Sequence, residues 1–370
     1  MSNVKGDPEM TKAEHKFPCD QCGADMRFDP GTDRLICDFC GHTRAAEHQT
    51  TQALAIREWD YFEAVADHLP PIATEETRFT RCGNCGAEVE LHETTHAAEC
   101  PFCATPVVMD TGTHRHIKPQ AVLPFVLSEK DARDAMTRWL GRLWFAPNGL
   151  QEYARKGRKM NGIYVPYWTY DADTKSKYIG ERGDDYYVTK TVMKDGKSEE
   201  VQERHTRWRP ASGRVARFFD DVLVLASKSL PKRYTDALEP WQLGELKPYS
   251  PDFLAGFQAE GYQIALDEGY AEAQQIMQAQ IAQDIRRDIG GDHQRIHSVN
   301  TDYQDVTFKH VLLPVWMAAY KYRDKSYRFV VNGQTGKVQG ERPWSAWKIA
   351  FAVVLGLIVA GVAAYIYQGK

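Results

Sequence analysis

The chain has no cysteine in its last two thirds: all eight cysteines of its 370 residues lie between positions 19 and 103. It lacks an apolar core at the N-terminus, where Met1-Ser-Asn-Val-Lys-Gly-Asp-Pro8 reads polar, so a secretory leader is not expected. Before Ile349 no long uncharged apolar run occurs, which excludes a polytopic membrane protein. A hydrophobic content of 43% excludes a disordered polar chain, and 27 glycines without a triplet period exclude a collagen-like one. Catalytic signatures are missing too. No G-x-S-x-G, G-x-G-x-x-G or paired-carboxylate pattern stands in a convincing context. Gly333-Gln-Thr-Gly336-Lys337-Val338 resembles part of a phosphate-binding loop, but Val331 and Val338 occupy positions where Gly and Ser/Thr are required.

What is present begins with the cysteines. They form four C-x-x-C pairs: Cys19/Cys22, Cys37/Cys40, Cys82/Cys85 and Cys100/Cys103. In each set 14 residues separate the pairs, and each cysteine of the second set lies 63 positions after its counterpart. This is a duplicated C-x2-C-x14-C-x2-C unit. Two thiolates two residues apart grip one side of a tetrahedral Zn²⁺, and the second pair closes it. Gly23, Gly41 and Gly86 follow three of the pairs, where the chain must curl so that backbone N–H groups reach the sulfurs. Asp29-Pro30-Gly31-Thr32-Asp33 marks a turn between the halves of the first unit. The spacing predicts zinc ribbons at 17–44 and 80–108, each with one structural Zn²⁺, after a flexible stretch at 1–16. With four thiolates per ion no position is left for a reacting water, so no catalytic role is expected. His92-Glu93-Thr94-Thr95-His96 matches a zinc-protease motif, but it falls inside the second ribbon's hairpin. On a strand its two histidines would stand about 13 Å apart, too far to share a metal.

Charge is as uneven as cysteine. Residues 1–116 hold ten Lys/Arg and twenty Asp/Glu, a net of −10, so the remainder carries +6. Each zinc centre with four thiolates adds about −2 to the acidic part. A phosphate backbone would be repelled, so protein recognition is expected and nucleic acid is not.

The C-terminus contains 19 consecutive uncharged residues, Ile349 to Tyr367. As a helix they would extend about 28 Å, close to the thickness of a bilayer's hydrocarbon core. Trp344 and Trp347 before the run, and Tyr365 and Tyr367 at its end, fit an interfacial aromatic belt. The expectation is a transmembrane helix over 345–367, tail-anchored in the inner (plasma) membrane, with the bulk of the chain cytoplasmic. Ala352, Gly356, Ala360 and Ala364 form a small-residue stripe suited to helix packing and to a homo-oligomer.

Between these ends, 45–79 reads as a connector with a short helix through Leu54, Trp59, Phe62, Val65 and Leu69. Asp110–His116 reads as a linker. Residues 117–342 read as a mixed α+β domain with an antiparallel sheet. Helices are expected after Ser128 and along Tyr270, Ala273, Met277, Ile281 and Ile285, ending at Gly290-Gly291. Strands are expected at 162–170, 178–180, 186–193, 200–208, 311–322 and 327–331, with Asp195-Gly196 as a hairpin turn. His293 and His297 read as a solvated helix start. Val165-Pro-Tyr-Trp168 and Leu313-Pro-Val-Trp316 suggest a faint internal repeat. The fold class expected is therefore α+β, with two small four-cysteine zinc ribbons and one C-terminal transmembrane helix.

The tandem ribbons, the Gly162-Ile-Tyr-Val-Pro-Tyr-Trp168 strand, Phe219-Asp-Asp-Val222 and Asn332-Gly-Gln-Thr-Gly-Lys337 with Gly340-Glu-Arg-Pro343 resemble the bacterial TFIIB-type zinc-ribbon membrane protein family. The ribbons alone are similar to the zinc region of primosomal helicases, although no motor motif accompanies them. The family resemblance implies a zinc-binding adaptor or scaffold. Its implied partners are flotillin-like or phage-shock-type membrane proteins, in envelope stress or membrane organisation. The helicase likeness implies a nucleic-acid, transcription- or replication-associated ribbon protein as the alternative.

Overall fold

A computed structural model describes residues 17–46, 56–70, 73–82, 86–90, 97–100, 102, 106–108, 113–145, 160–194, 197–322, 325–341 and 345–368. Three very long strands dominate it: β11 (Asn161–Lys194), β12 (Lys197–Leu225) and β15 (His293–Tyr322). β11 lies between the other two and pairs antiparallel with both. On the far side of β15, the antiparallel strand β16 (Lys325–Asn332) and the parallel strand β10 (Ala121–Val122) extend the sheet.

The residues just before the two Pro-x-Trp segments are paired, so the segments run away from each other on neighbouring strands. Val165 faces Leu313, Tyr164 faces Pro314 and Gly162 faces Trp316 across β11 and β15. Around them both strand faces are buried, which explains the nearly continuous apolar run from Ile163 to Tyr170. Past Tyr170 only one face is covered, and burial alternates: Thr174, Ser176 and Tyr178 are buried while Asp173, Lys175, Lys177 and Ile179 are exposed. The buried hydroxyls are satisfied. Thr174 Oγ1 donates to the Arg217 carbonyl at 2.8 Å, and Ser176 Oγ meets Thr301 Oγ1 at 2.8 Å.

A 24-residue helix, Leu266–Ile289, covers that face. Its buried stripe of Tyr270, Ala273, Met277, Ile281, Ile285 and Ile289 packs with Trp168, Tyr170 and Tyr178. Polar contacts fix its register: Trp168 Nε1 donates to the Ile264 carbonyl at 3.0 Å and Tyr170 Oη to that of Leu266 at 2.7 Å. Arg217 grips Asp284 through two hydrogen bonds of 2.6 and 2.8 Å. Gly290 and Gly291 end the helix at φ values of 64° and 74°, where a side chain would be strained. A second helix, α2 (Glu129–Gly141), begins at a capping box in which the Asp131 backbone N–H donates to Ser128 Oγ and Asp131 Oδ2 accepts from the Ser128 backbone N–H.

Several expectations need correction. The 162–170, 178–180 and 186–193 segments are one 34-residue strand, because a half-covered sheet tolerates the charged residues that break the apolar pattern. His293 and His297 stand at the start of β15, not on a helix. In the connector, Trp59–Asp60 is a short strand, β4, pairing with Thr307–Phe308, and among its described residues the α-helix is Tyr61–Val65. Of the linker expected at Asp110–His116, the described part belongs to a strand, β9 (Thr113–Ile117), paired with β5 (Thr74–Arg81).

The α+β class with a transmembrane helix is also corrected: most of the described chain is one large, mainly antiparallel sheet. A helix does occupy Ala346–Gln368. Among the described residues, however, no helix is long and apolar enough to cross a membrane. The tail anchor, the bilayer contact and the inner-membrane location expected from the sequence fall with it. Trp347, Tyr365 and Tyr367 are exposed on this helix, as are Gly356 and Ala360, and Ala352 is half-buried. Trp344 and the side chain of Ala364 lie outside the described residues.

Two outcomes test this packing. A Cβ at Gly180 would lie 2.3 Å from the Arg295 carbonyl oxygen, which the strand holds in place. Gly180→Ala should therefore cost about 2 kcal/mol or more in urea unfolding, whereas Gly244→Ala, in open space, should leave the midpoint nearly unchanged. Arg217 holds the Asp284 carboxyl below its ordinary range. Its contribution is complete above the unfolded-state pKa of about 4 and is lost as pH falls through the lower folded value. Asp284→Asn should flatten the acid side of the stability–pH curve.

Candidate metal centre

The first ribbon is built from β1 (Arg27–Asp29), β2 (Arg34–Ile36) and β3 (Thr43–Ala45) in antiparallel order. The Asp29–Asp33 turn closes β1 onto β2, with Gly31 at φ 78° and the Thr32 hydroxyl donating to the Asp29 carbonyl at 2.8 Å. On either side of this hairpin the two cysteine pairs fold in the same way. The Gly23 N–H donates to the Cys19 carbonyl at 2.8 Å, and the Gly41 N–H to that of Cys37 at 2.9 Å. Both glycines have φ near 70°, a conformation that side chains rarely adopt.

These turns bring Cys19, Cys22, Cys37 and Cys40 together, with all four sulfurs within 4.8 Å of one another. Cys19 Sγ lies 3.5 Å from Cys40 Sγ, and Cys22 Sγ 3.5 Å from Cys37 Sγ. A tetrahedron with metal–sulfur bonds of about 2.3 Å has edges of about 3.8 Å, so the four sulfurs could hold one metal ion with little movement. Cys19 and Cys37 are buried, whereas Cys22 and Cys40 are exposed. The Cys40 backbone N–H, with that of Phe39, holds the Cys37 thiol down at about 7. At Cys40 the His42 backbone N–H also lowers the pKa, but burial and the three neighbouring sulfurs push it up to about 12. Without a metal, the crowded sulfurs cannot all ionise; a metal ion makes that charge state favourable.

The second unit repeats the first turn. The Gly86 N–H donates to the Cys82 carbonyl at 2.8 Å, and Gly86 has φ 76°. Cys82 and Cys100 are buried. Cys85 and Cys103 lie outside the described residues, as do His92, Glu93 and His96 of the protease-like motif.

The sheet's alternation places the two units on opposite faces. Cys19, Phe28, Leu35 and Cys37 pack in one cluster with Tyr164, Phe253 and Trp316. Cys82, Cys100 and Phe102 pack with Ile163, Val165, Leu225 and Trp241 in another. Neighbouring residues of β11 thus point to different ribbons. Backbone bonds dock them: the Phe28 N–H donates to the Ala255 carbonyl at 2.9 Å, and the Gly261 N–H to that of Glu88 at 3.2 Å. Gln263 Nε2 reaches the Gly86 carbonyl at 3.1 Å, at the turn that follows the third cysteine pair. This docking was not legible from spacing, because Ala255, Gly261 and Gln263 lie in irregular segments with no motif.

One exposed group at the centre also escaped the sequence reading. Phe39, between Cys37 and Cys40, is 85% exposed. An aromatic inside a C-x-x-C pair gives no periodic signal, and only the knuckle's geometry shows it pointing to solvent.

The chain is 28% identical over 343 residues to an uncharacterized protein, YdjG, of Bacillus subtilis strain 168, covering 90% of this chain and 92% of that one. No family model and no solved structure matches.

Replacing Cys37, a buried member of the four-sulfur group, with alanine should remove one bound metal per chain and lower thermal stability. Elemental analysis alongside a melting curve checks both.

Proposed function

We propose that the chain is a zinc-dependent adaptor that recruits protein partners, with one structural Zn²⁺ in each ribbon. The observation that carries this reading is the closed set of four sulfurs with Phe39 standing exposed beside it. Four thiolates complete the tetrahedron of a Zn²⁺ and leave no site for a reacting water, so the ion's work is to hold the knuckles in shape. A fixed, exposed aromatic is the residue type that anchors protein interfaces. Asp20 and Asp38 are exposed in the same two knuckles. The partner chemistry that fits is an apolar pocket that takes the Phe39 ring. The resemblance to TFIIB-type zinc-ribbon proteins makes flotillin-like or phage-shock-type proteins the first partners to test.

The test uses full-length, zinc-loaded chain as bait. Phe39→Asp should keep its zinc and its melting temperature yet lose capture of such a partner by about tenfold or more. Equal capture by both baits sinks the role of the knuckle. Steeply salt-dependent binding to DNA or RNA, without protein capture, would favour the nucleic-acid alternative instead.

A further inference from the structure

The hairpin of β11 and β12 outruns the sheet that supports it. β15 begins at His293, opposite Gly183, whereas β11 and β12 stay paired as far as Lys194 and Lys197. From Asp184 to Lys194 the hairpin therefore has two strands only, and among the described residues nothing pairs with the β15 side of β11 there. That open edge runs for about 36 Å. A two-stranded ribbon alone is marginally stable in water, and an open edge is a template for another strand.

The last rung fixes the direction of the backbone. The Asp292 N–H donates to the Gly183 carbonyl at 2.9 Å, and the Asp185 N–H donates to Asp292 Oδ2 at 2.8 Å. Gly183 and Asp185 thus turn their bonding groups toward the β15 side. By alternation Tyr187, Thr189, Thr191 and Met193 turn theirs the same way, beyond the end of β15.

The other edge of the ribbon, β12, is guarded. Pro210 near its base has no N–H to offer, and Glu200, Glu203, Arg204, Arg207 and Arg209 stand exposed along it. On β11, by contrast, the stretch Tyr186–Met193 holds a single charge, Lys190. It exposes Tyr186, Tyr187, Val188, Val192 and Met193. The unguarded edge is the apolar one.

The strand that fits this edge is the same strand from another copy. When two open edges run antiparallel and coincide end to end, Thr189, midway between Asp184 and Lys194, falls on the two-fold axis. Asp184 then stands opposite Lys194, Tyr186 opposite Val192, Tyr187 opposite Thr191 and Thr189 opposite itself. Unlike charges, an aromatic with a β-branched residue, and paired threonines are the cross-strand combinations that stabilise antiparallel sheets. No like charges are apposed. The outward bonding groups of Tyr187, Thr189 and Thr191 meet their counterparts directly, as an antiparallel ladder requires.

We propose that the chain forms a two-fold dimer through the open edge of β11, the two hairpins joining as one four-stranded antiparallel sheet in the order β12-β11-β11-β12. The partner on this surface is a second copy of the chain. Each particle then carries the exposed Phe39 twice, whatever that ring binds.

The test is light scattering on the zinc-loaded full-length chain over a dilution series. The parent should run as a dimer that dissociates on dilution. Thr189→Pro removes an outward N–H and no bond within the hairpin. It should keep the parent's circular dichroism and zinc content while weakening the dimer about tenfold or more. Thr189→Lys sets two ammonium groups against each other on the axis and should weaken the dimer about fivefold, less at high salt. A parent chain that stays monomeric up to about 100 µM overturns the dimer. So does a dimer that neither variant weakens, since its interface would then lie elsewhere.

Discussion

The pairing of β11 with β15 is the constraint on which the rest of the molecule depends. Successive side chains of a strand point to opposite faces, so this single register decides what each face meets. Tyr164 goes to the first ribbon, and Ile163 and Val165 go to the second. A slip of one residue would send every one of them to the wrong side. The Pro-x-Trp segments resist that slip, because Trp168 and Trp316 each donate an indole N–H to a specific carbonyl, at Ile264 and Leu127. Buried indoles that lose such partners are costly, so the register is held by polar as well as apolar forces.

Docking on this sheet changes what a zinc ribbon can be. A ribbon alone is too small to bury a core and depends on its metal to fold. Here Phe28 lies against Phe253 at a ring distance of 5.3 Å, and Cys82 and Cys100 share a cluster with Leu225 and Trp241. The knuckles are therefore braced from behind by the sheet, and a metal ion on the four sulfurs of the first ribbon would brace that ribbon from within. Coupling of this kind lets metal loss be felt at the sheet. It also leaves only the outer parts of the first ribbon, Phe39 among them, free for recognition.

The parts of this architecture that were legible in the sequence are those whose chemistry is local. Two cysteine pairs and a Pro-Gly turn announce a ribbon because a tetrahedral ion sets the spacing. The stripe from Tyr270 to Ile285 announces a helix because one continuous face is buried. The long strands were not legible. Asp173, Lys175 and Lys177 alternate with Thr174 and Ser176, small polar residues that the long helix covers, and no apolar period survives. The ion pairs of Lys309 with Glu58, Asp171 and Asp221 were equally hidden, since these residues come from four distant segments. At the C-terminus the uncharged run from Ile349 read as a span, whereas among the described residues no helix is long and apolar enough to cross a membrane.

Charge shows most clearly how folding alters a reading made from totals. By totals alone, the acidic first third presents a field of −10 to any partner, opposite a body of +6. The fold brings these two charges together. Lys247 of the body pairs with Asp33 of the first ribbon, Arg44 of that ribbon lies 4.0 Å from Asp252, and Glu58 of the connector holds Lys309. Part of the contrast between head and body is thus spent inside the molecule, on docking. Even Asp38 is shared with Arg27 of its own ribbon at 3.0 Å. Long-range attraction is then a poor basis for partner choice, because paired charges project little field beyond a screening length of about 8 Å. What remains distinctive at the ribbon's surface is shape and an exposed aromatic ring. The partner proposed for this surface is therefore argued from the exposed Phe39 ring and not from net charge.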